Sequence, residues 1–176
     1  PIGELVGSSL SSEWHLNGKG LDTLEGWVKA SSPQLKFSKK GRELSIEGIE
    51  LAGQFSLTPE QKWFTLSHLH LRSPGSTFQG SFTWNKTIPE STLHIRGRRM
   101  DAAPIREAAL FIWESQPVVK KIFEIVLAGN VPLITFDSKA DHPGRLGGTD
   151  HFVLEGEMHD GTVLVPNARL LVKESY

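Results

Sequence analysis

The sequence predicts an α+β fold that is mainly β, with a curved antiparallel sheet packed on or around a short insertion of two helices. Over most of the chain, apolar and polar residues alternate with a period of two, which is typical of strands. Glycine, proline, Asn and Asp interrupt this pattern at short intervals, where turns are expected. Between residues 101 and 128 the apolar spacing becomes helical. A length of 176 residues suits one domain, 1–176.

A β-meander is predicted for residues 43–97. Leu44 and Ile46 share one face, but after Gly48 the apolar positions change parity, so a bulge or bend is expected at that glycine. Short connections make consecutive strands antiparallel. The turns of this meander are predicted at residues 58–60, 73–76 and 85–89.

The helical insertion is predicted at residues 101–128. Asp101 is the expected N-cap of a first helix that contains Pro104, because proline is tolerated in the first turn. Pro117 starts a second helix, and Gly129 is expected to end it. Apolar residues cover much of this second helix, so we expect it to pack against the sheet, with a membrane-surface role as the alternative.

The two ends of the chain contribute further strands. Residues 1–42 contain shorter strand candidates at 24–30 and 34–38, and residues 131–176 are expected to form the last strands of the sheet. Asp160 followed by glycine predicts a two-residue hairpin turn, and Pro166 favours an edge position or a break.

Composition excludes several classes of function. The 19 Lys and Arg residues nearly balance 20 Asp and Glu, giving a net charge of -1, so no basic field favours nucleic acid. The absence of cysteine excludes disulfides, thiolate metal sites and a cysteine nucleophile. No signal peptide and no apolar run of about 20 residues is present. Because the sequence begins with Pro1 rather than Met, we expect it to be a segment of a longer protein.

Two groups of polar residues are candidates for chemistry. His68, His70 and His94 have the spacing for a zinc site on neighbouring strands, but their apolar neighbours predict that they lie on a wet outer face. A second group could form an acid/base pair or a cation site, but most of its members lie beside Gly or Pro, where turn formation explains them: Asp137, Asp141, His142, Asp150, His151, His159 and Asp160. No nucleophile elbow or phosphate-binding loop is present. We therefore predict no catalytic residues, no metal, no cofactor and no enzymatic activity.

The apolar side chains predict a different role. Two short helices are too few to cover the predicted strands, so the sheet must close into a barrel, fold over itself or leave an apolar trough. A trough of this kind suits acyl chains. The same residues can also be arranged as a closed core, and the sequence leaves both arrangements open. The expected lipid-binding residues are Phe78, Phe82 and Trp84 on the sheet, with Ile122, Phe123 and Val126 as a helical wall or membrane-facing cap.

Three stretches of the sequence resemble the AsmA-like superfamily of bacterial envelope proteins. They are WFTLSHLHLRSPGS (63–76) with GSF (80–82), LHIRG (93–97) with MDAAPIR (100–106), and LEGEMHDGTVLVPNARL (154–170). The resemblance implies a periplasmic protein whose parent is anchored in the inner membrane. It also implies a β groove that carries phospholipid, without catalytic residues.

We therefore expect a non-enzymatic segment that shelters or conducts phospholipid acyl chains and supports lipid transport or outer-membrane maintenance. Its expected partners are an acyl-chain ligand, a membrane contact and neighbouring domains of the parent chain, and not nucleic acid. One alternative is a structural or protein-interaction module that continues its sheet into neighbouring domains. Another is a carbohydrate-binding β-sandwich that uses Trp14, Trp27 or Trp63.

Overall fold

The structure, a computed structural model, describes residues 4–20, 22–148, 151–164 and 171–173. Their strands form one antiparallel sheet of ten strands that does not close on itself. The strands are β1 Glu4–Leu5, β2 Ser11–Lys19, β3 Thr23–Lys39, β4 Arg42–Leu57, β5 Gln61–Leu71, β6 Ser76–Asn85, β7 Glu90–Asp101, β8 Val126–Ala140, β9 Phe152–Leu164 and β10 Leu171–Lys173. The helices, α1 Ala102–Ile112 and α2 Pro117–Ile125, lie between β7 and β8.

The sheet is a meander, because β3 to β10 follow one another in space in the same order as in the chain. Strands β1 and β2 both pair with β3, β1 opposite Phe37 and Ser38 and β2 opposite residues 23–31. The mainly β, antiparallel α+β architecture predicted from the periodicity is therefore confirmed.

The N-terminal strands are longer and more numerous than predicted. The two strand candidates at 24–30 and 34–38 belong to one continuous strand, β3. Strand β2 was not predicted from the sequence. Its described side chains are all exposed, so burial on one face imposed little alternation on its sequence.

Gly48 lies at the predicted change of parity. Its φ is +59°, a conformation that favours glycine, and the Arg72 N–H reaches the carbonyl oxygens of both Glu47 (2.9 Å) and Gly48 (3.2 Å). As a result Ile46 and Ile49, on either side of Gly48, are buried in one apolar cluster. The predicted irregularity is present as a change of backbone conformation at Gly48, and the register against β3 does not shift there.

The helical insertion starts as predicted and ends earlier. The Asp101 carboxylate accepts the Ala103 N–H at 3.1 Å as the N-cap of α1, and Pro117 begins α2. Gly129 does not end α2: the helix stops at Ile125, and Val126 pairs with Val163 of β9. From Val126 onward the backbone forms its hydrogen bonds with β9, so it does not need those of a further helical turn. Val126, expected in the helical wall, is therefore a strand residue.

The hairpin predicted at Asp160 is wrong. Strand β9 continues through this position to Leu164. Asp160 has a φ of +51°, but Gly161 has no positive φ, whereas the expected turn needs two such residues in sequence. The side chain of Met158 fills the space beside Gly161, where a Cβ would lie 2.9 Å from the Met158 sulfur. Pro166 lies outside the described residues.

Two buried apolar clusters join the helices to the sheet. The first contains Ile46, Ile49 and Leu71, and the second contains Met100, Ala102 and Val131. Phe78 of β6 packs against both clusters, and α1 contributes Ile112 to the first cluster and Ile105 to the second. Helix α1 therefore lies over one end of the β4–β7 strands and leaves their other end without a helical layer.

Candidate functional site

The register of the sheet places apolar residues from eight strands on one face. Side chains directly opposite each other in an antiparallel ladder point to the same face. Three rows of such partners cross the sheet from β2 to β9 or β8, and we call them the inner, central and lip rows, the inner row being nearest the helices. The inner row is Trp14, Val28, Gly53, Leu66, Gly80, Ile95, Phe136 and Leu154; the central row is Leu16, Gly26, Phe55, Phe64, Phe82, Leu93, Ser138 and Phe152; the lip row is Gly18, Leu24, Leu57, Lys62, Trp84, Ser91 and Ala140.

We call the surface formed by these three rows the apolar face. Its central row crosses eight strands, and at a strand spacing of about 4.8 Å it extends over roughly 34 Å. This length is close to the roughly 30 Å hydrocarbon thickness of a bilayer. The face is thus long enough to contact an acyl chain along the whole of its length.

Part of the apolar face is open to solvent. The most exposed large apolar side chain in the three rows is Trp14, with 62% of its surface accessible. Five other large apolar side chains in the rows are exposed between 36% and 46%: Leu16, Leu24, Leu57, Phe64 and Ile95. An apolar surface of this extent is typical of a binding site.

Glycines alternate with large side chains on this face. In the central row the ring of Phe55 lies against Gly26, and the ring of Phe64 lies against Gly53 of the inner row. A Cβ on Gly53 would be 3.1 Å from Phe64 Cε2 and 3.0 Å from the Thr65 carbonyl oxygen. Because these positions have no side chain, the rings lie low over the backbone and the face stays smooth.

Helix α2 covers the β8–β9 side of the apolar face. None of its residues is fully buried, and Arg106 of α1 holds it by donating from Nε to the Phe123 carbonyl oxygen at 2.9 Å. The loop after β8 folds back towards it: the Gly147 N–H donates to Ser138 Oγ at 3.0 Å, and a Cβ on Gly147 would be 3.2 Å from Val118 Cγ1. The helix and the loop thus meet beside the central row and bound the face on this side.

The junction between the helices is tied to the β3–β4 turn by charge. Glu114 Oε1 lies 3.3 Å from Lys39 Nζ and 3.4 Å from Lys40 Nζ, and Lys39 Nζ also donates to the Phe111 carbonyl oxygen at 3.2 Å. Hydrogen bonding to Lys39, and then to Lys40, lowers the pKa of the Glu114 carboxyl below its ordinary value. The Arg42 guanidinium lies 5.7 Å from the centre of the Phe111 ring, at the same contact.

The predicted lipid-binding residues are divided between the open and covered parts. Phe82 is in the central row and Trp84 is in the lip row, both half-buried. Phe78 lies under α1 in contact with both buried clusters. Ile122 and Phe123 are half-buried on α2, and Val126 packs against the second cluster. The structure therefore brings Phe82 and Trp84 together in neighbouring rows of the apolar face, whereas Phe78 and Val126 pack against the buried clusters.

The opposite face of the sheet is polar and carries the histidines. His68, His70 and His94 are exposed there, and His94 Nδ1 lies 2.7 Å from Asp137 Oδ1. Among the described residues, no group of three or more His, Asp or Glu side chains is arranged to hold a metal ion.

Only part of the second polar group has the turn role expected of it, because Asp137 lies within β8, and His159 and Asp160 lie within β9. Asp141 accepts a hydrogen bond from Arg145 at 2.8 Å, and His142 Nδ1 accepts the Gly144 N–H at 3.0 Å. Both contacts lie within the loop between β8 and β9, and Asp150 of this group lies outside the described residues.

The three tryptophans considered for sugar stacking do not all lie on the same face of the sheet. Trp14 lies in the inner row of the apolar face, whereas Trp27 and Trp63 point to the polar face. On that face, Trp27 stacks on His15 with ring centres 6.3 Å apart. A cavity of about 280 Å³ between β2 and β5 also has polar lining residues, among them Glu13, Lys29 and His68.

Sequence reasoning missed the contributions of β2 and β5. Trp14 and Leu16 extend the apolar face to the β2 edge, and their separation by one polar residue was the available signal. Phe64 was missed because simple alternation places residues 64 and 69 on opposite faces of a strand. In the structure the register shifts between Leu66 and Leu69, so Phe64 and Leu69 lie on the same face.

Neither helix of the described chain has the length and hydropathy of a membrane-spanning segment. Searches against known protein families, curated proteins and solved structures found no match to this chain.

Proposed function

We propose that this chain is a non-enzymatic segment of an envelope protein that shelters or conducts phospholipid acyl chains on its apolar face. The observation that carries the proposal is the continuous apolar surface of the inner and central rows, which helices cover only in part. An acyl chain requires continuous non-polar contact and few directed hydrogen bonds, and this surface supplies that contact.

The proposed mechanism is burial without covalent chemistry. The chain of the lipid lies over the aromatic side chains of the central row, among them Phe55, Phe64 and Phe82, and its headgroup stays in water. Contact with the accessible parts of these rings removes apolar surface of both partners from water, at roughly 25 cal/mol per Å². In this proposal the chain works in the periplasm, its parent protein is anchored in the inner membrane, and it supports lipid transport or outer-membrane maintenance.

Native mass spectrometry and lipid extraction of the purified chain test the proposal. We expect phospholipid to co-purify with the wild type and to be strongly reduced in Phe82→Glu, because a carboxylate in the central row cannot be desolvated by an acyl chain. Gln79→Glu is the matched control, since Gln79 is exposed on the polar face of the same strand. Equal lipid content in all three proteins, or none in the wild type, contradicts the proposal.

A structural or protein-interaction module remains the second candidate, and the position of β2 favours it. Among the described strands, β2 pairs only with β3, so its other edge presents backbone groups that a strand from another domain can pair with. This alternative predicts no bound lipid. It also predicts that Phe82→Glu leaves association with neighbouring segments of the parent protein unchanged.

A further inference from the structure

Lys62 is the one charged side chain among the described residues that define the three rows of the apolar face. It occupies the lip row, at the start of β5, and its directly opposite partners are Leu57 on β4 and Trp84 on β6. The next residue of β5 on the same face is Phe64 of the central row. A cation therefore stands at the border of the apolar surface, immediately beside its aromatic centre.

The position of the Lys62 ammonium is defined by Trp84. Its Nζ lies 5.0 Å from the centre of the Trp84 ring, within the range of a cation–π contact. Lys62 makes no ion pair with any residue that the structure describes. Its charge is thus available to a ligand, while its stem and the indole ring continue the apolar surface.

From this geometry we infer that Lys62 binds the anionic head of an amphiphile whose chain lies on the central row. The inference rests on the proposed function and specifies the ligand further: the head carries a phosphate or a carboxylate, and it lies at the lip between β5 and β6. The chain starts over Phe64 and Phe82, which are directly opposite each other and two residues from Lys62 and Trp84. A neutral amphiphile with the same chain uses the face without this contact.

Three ligands with one oleoyl chain separate the head from the chain: oleate, oleoyl lysophosphatidate and neutral monoolein, each used below its micelle concentration. We expect Lys62→Gln to weaken binding of the anionic ligands by about three- to tenfold, the range for a charge-assisted contact that is partly exposed. Monoolein binding is expected to be unchanged. Lys62→Arg should keep the affinity for the anions, and Lys86→Gln, a change in an exposed turn, should bind all three ligands as the wild type does.

The outcomes distinguish this inference from the proposed function. A loss confined to oleoyl lysophosphatidate identifies a phosphate head, and a loss confined to oleate identifies a carboxylate head; either supports the inference. An equal loss for all three ligands, or no loss for any, overturns it, because Lys62 then acts through packing or not at all. If the wild type binds none of the ligands, monoolein included, the proposed function itself fails.

Discussion

The ring of Phe55 lies against Gly26, its directly opposite partner on β3, so closely that a Cβ on this glycine would be 3.1 Å from Phe55 Cζ. The same Cβ would also clash with the backbone carbonyl oxygen of His15 on β2. A glycine at this position lets three neighbouring strands carry a large ring without separating. The Phe55 ring can therefore pack directly on the backbone of β3 only because Gly26 has no side chain.

Gly26→Ala is expected to destabilise the chain by about 1–3 kcal/mol, because the added methyl must displace the β2 backbone or the Phe55 ring. Gly18→Ala is the matched control: it lies on β2 in the lip row, and its Cβ would be 3.8 Å from the nearest atom, the Thr23 carbonyl oxygen. Chemical denaturation measures both free energies of unfolding. Equal stability of the two variants would contradict the close packing at Gly26.

Phe111 is expected to be the main anchor of α1. Only 2% of its surface is exposed, so Phe111→Ala should reduce the free energy of unfolding by about 3–5 kcal/mol. Trp113, two residues later and 50% exposed, provides the comparison, and Trp113→Ala should change stability by less than about 1 kcal/mol. Urea denaturation of both variants checks the difference. A larger loss for Trp113→Ala would contradict the prediction, because the exposed indole after the helix and not the buried Phe111 ring would then anchor α1.

The fold was predictable where the sequence records burial on one face. The alternation in β4, β6 and β7 predicted the meander, and the parity change predicted the unusual backbone conformation at Gly48. The helix start was predictable from local chemistry, because the carboxylate of Asp101 caps the backbone of the next residues. These signals are local, and nothing in the tertiary structure opposes them.

The remaining features depend on pairing between distant parts of the chain. The end of α2 at Ile125 is set by pairing of Val126 with Val163, 37 positions later, which local propensity does not report. The membership of Phe64 in the central row depends on the register shift in β5. For the site, Phe82 and Trp84 were identified from alternation, but whether α1 covers Phe78 is a matter of tertiary packing.

The Glu114 contact predicts a pH-dependent contribution to stability. Lys39 and Lys40 lower the pKa of this carboxyl in the folded chain, so the unfolded state binds its proton first as the pH falls. The contribution is therefore present above the ordinary pKa of Glu and is lost as the pH falls through the lower pKa of the folded state. Glu114→Gln should lower the melting temperature slightly at pH 7, and the difference from the wild type should shrink under acidic conditions.

Thermal melts between pH 7 and pH 3, at low and high salt, measure this effect. Because the pair is partly exposed, added salt should reduce the difference at pH 7. Glu107→Gln, an exposed position on α1 without an ion pair among the described residues, is the control and should show no such pH dependence. If the difference in melting temperature between Glu114→Gln and the wild type does not depend on pH or salt, the contact stabilises the chain through packing and not through charge.

Replacing Ser91 or Ser138, on adjacent strands of the apolar face, by alanine is expected to change stability in opposite directions. The Ser91 side chain is completely buried, and its hydroxyl has no hydrogen-bond partner among the described residues. A buried hydroxyl in this state carries a desolvation cost of about 1–3 kcal/mol, so Ser91→Ala should stabilise the chain by about 1 kcal/mol.

Ser138 Oγ, in contrast, donates to the His151 carbonyl oxygen at 2.6 Å and accepts the Gly147 N–H at 3.0 Å. Ser138→Ala leaves both backbone groups without that partner and should destabilise by about 1–3 kcal/mol. Calorimetry shows whether each variant is more or less stable than the wild type. A destabilising Ser91→Ala would show that the Ser91 hydroxyl has a hydrogen-bond partner in solution.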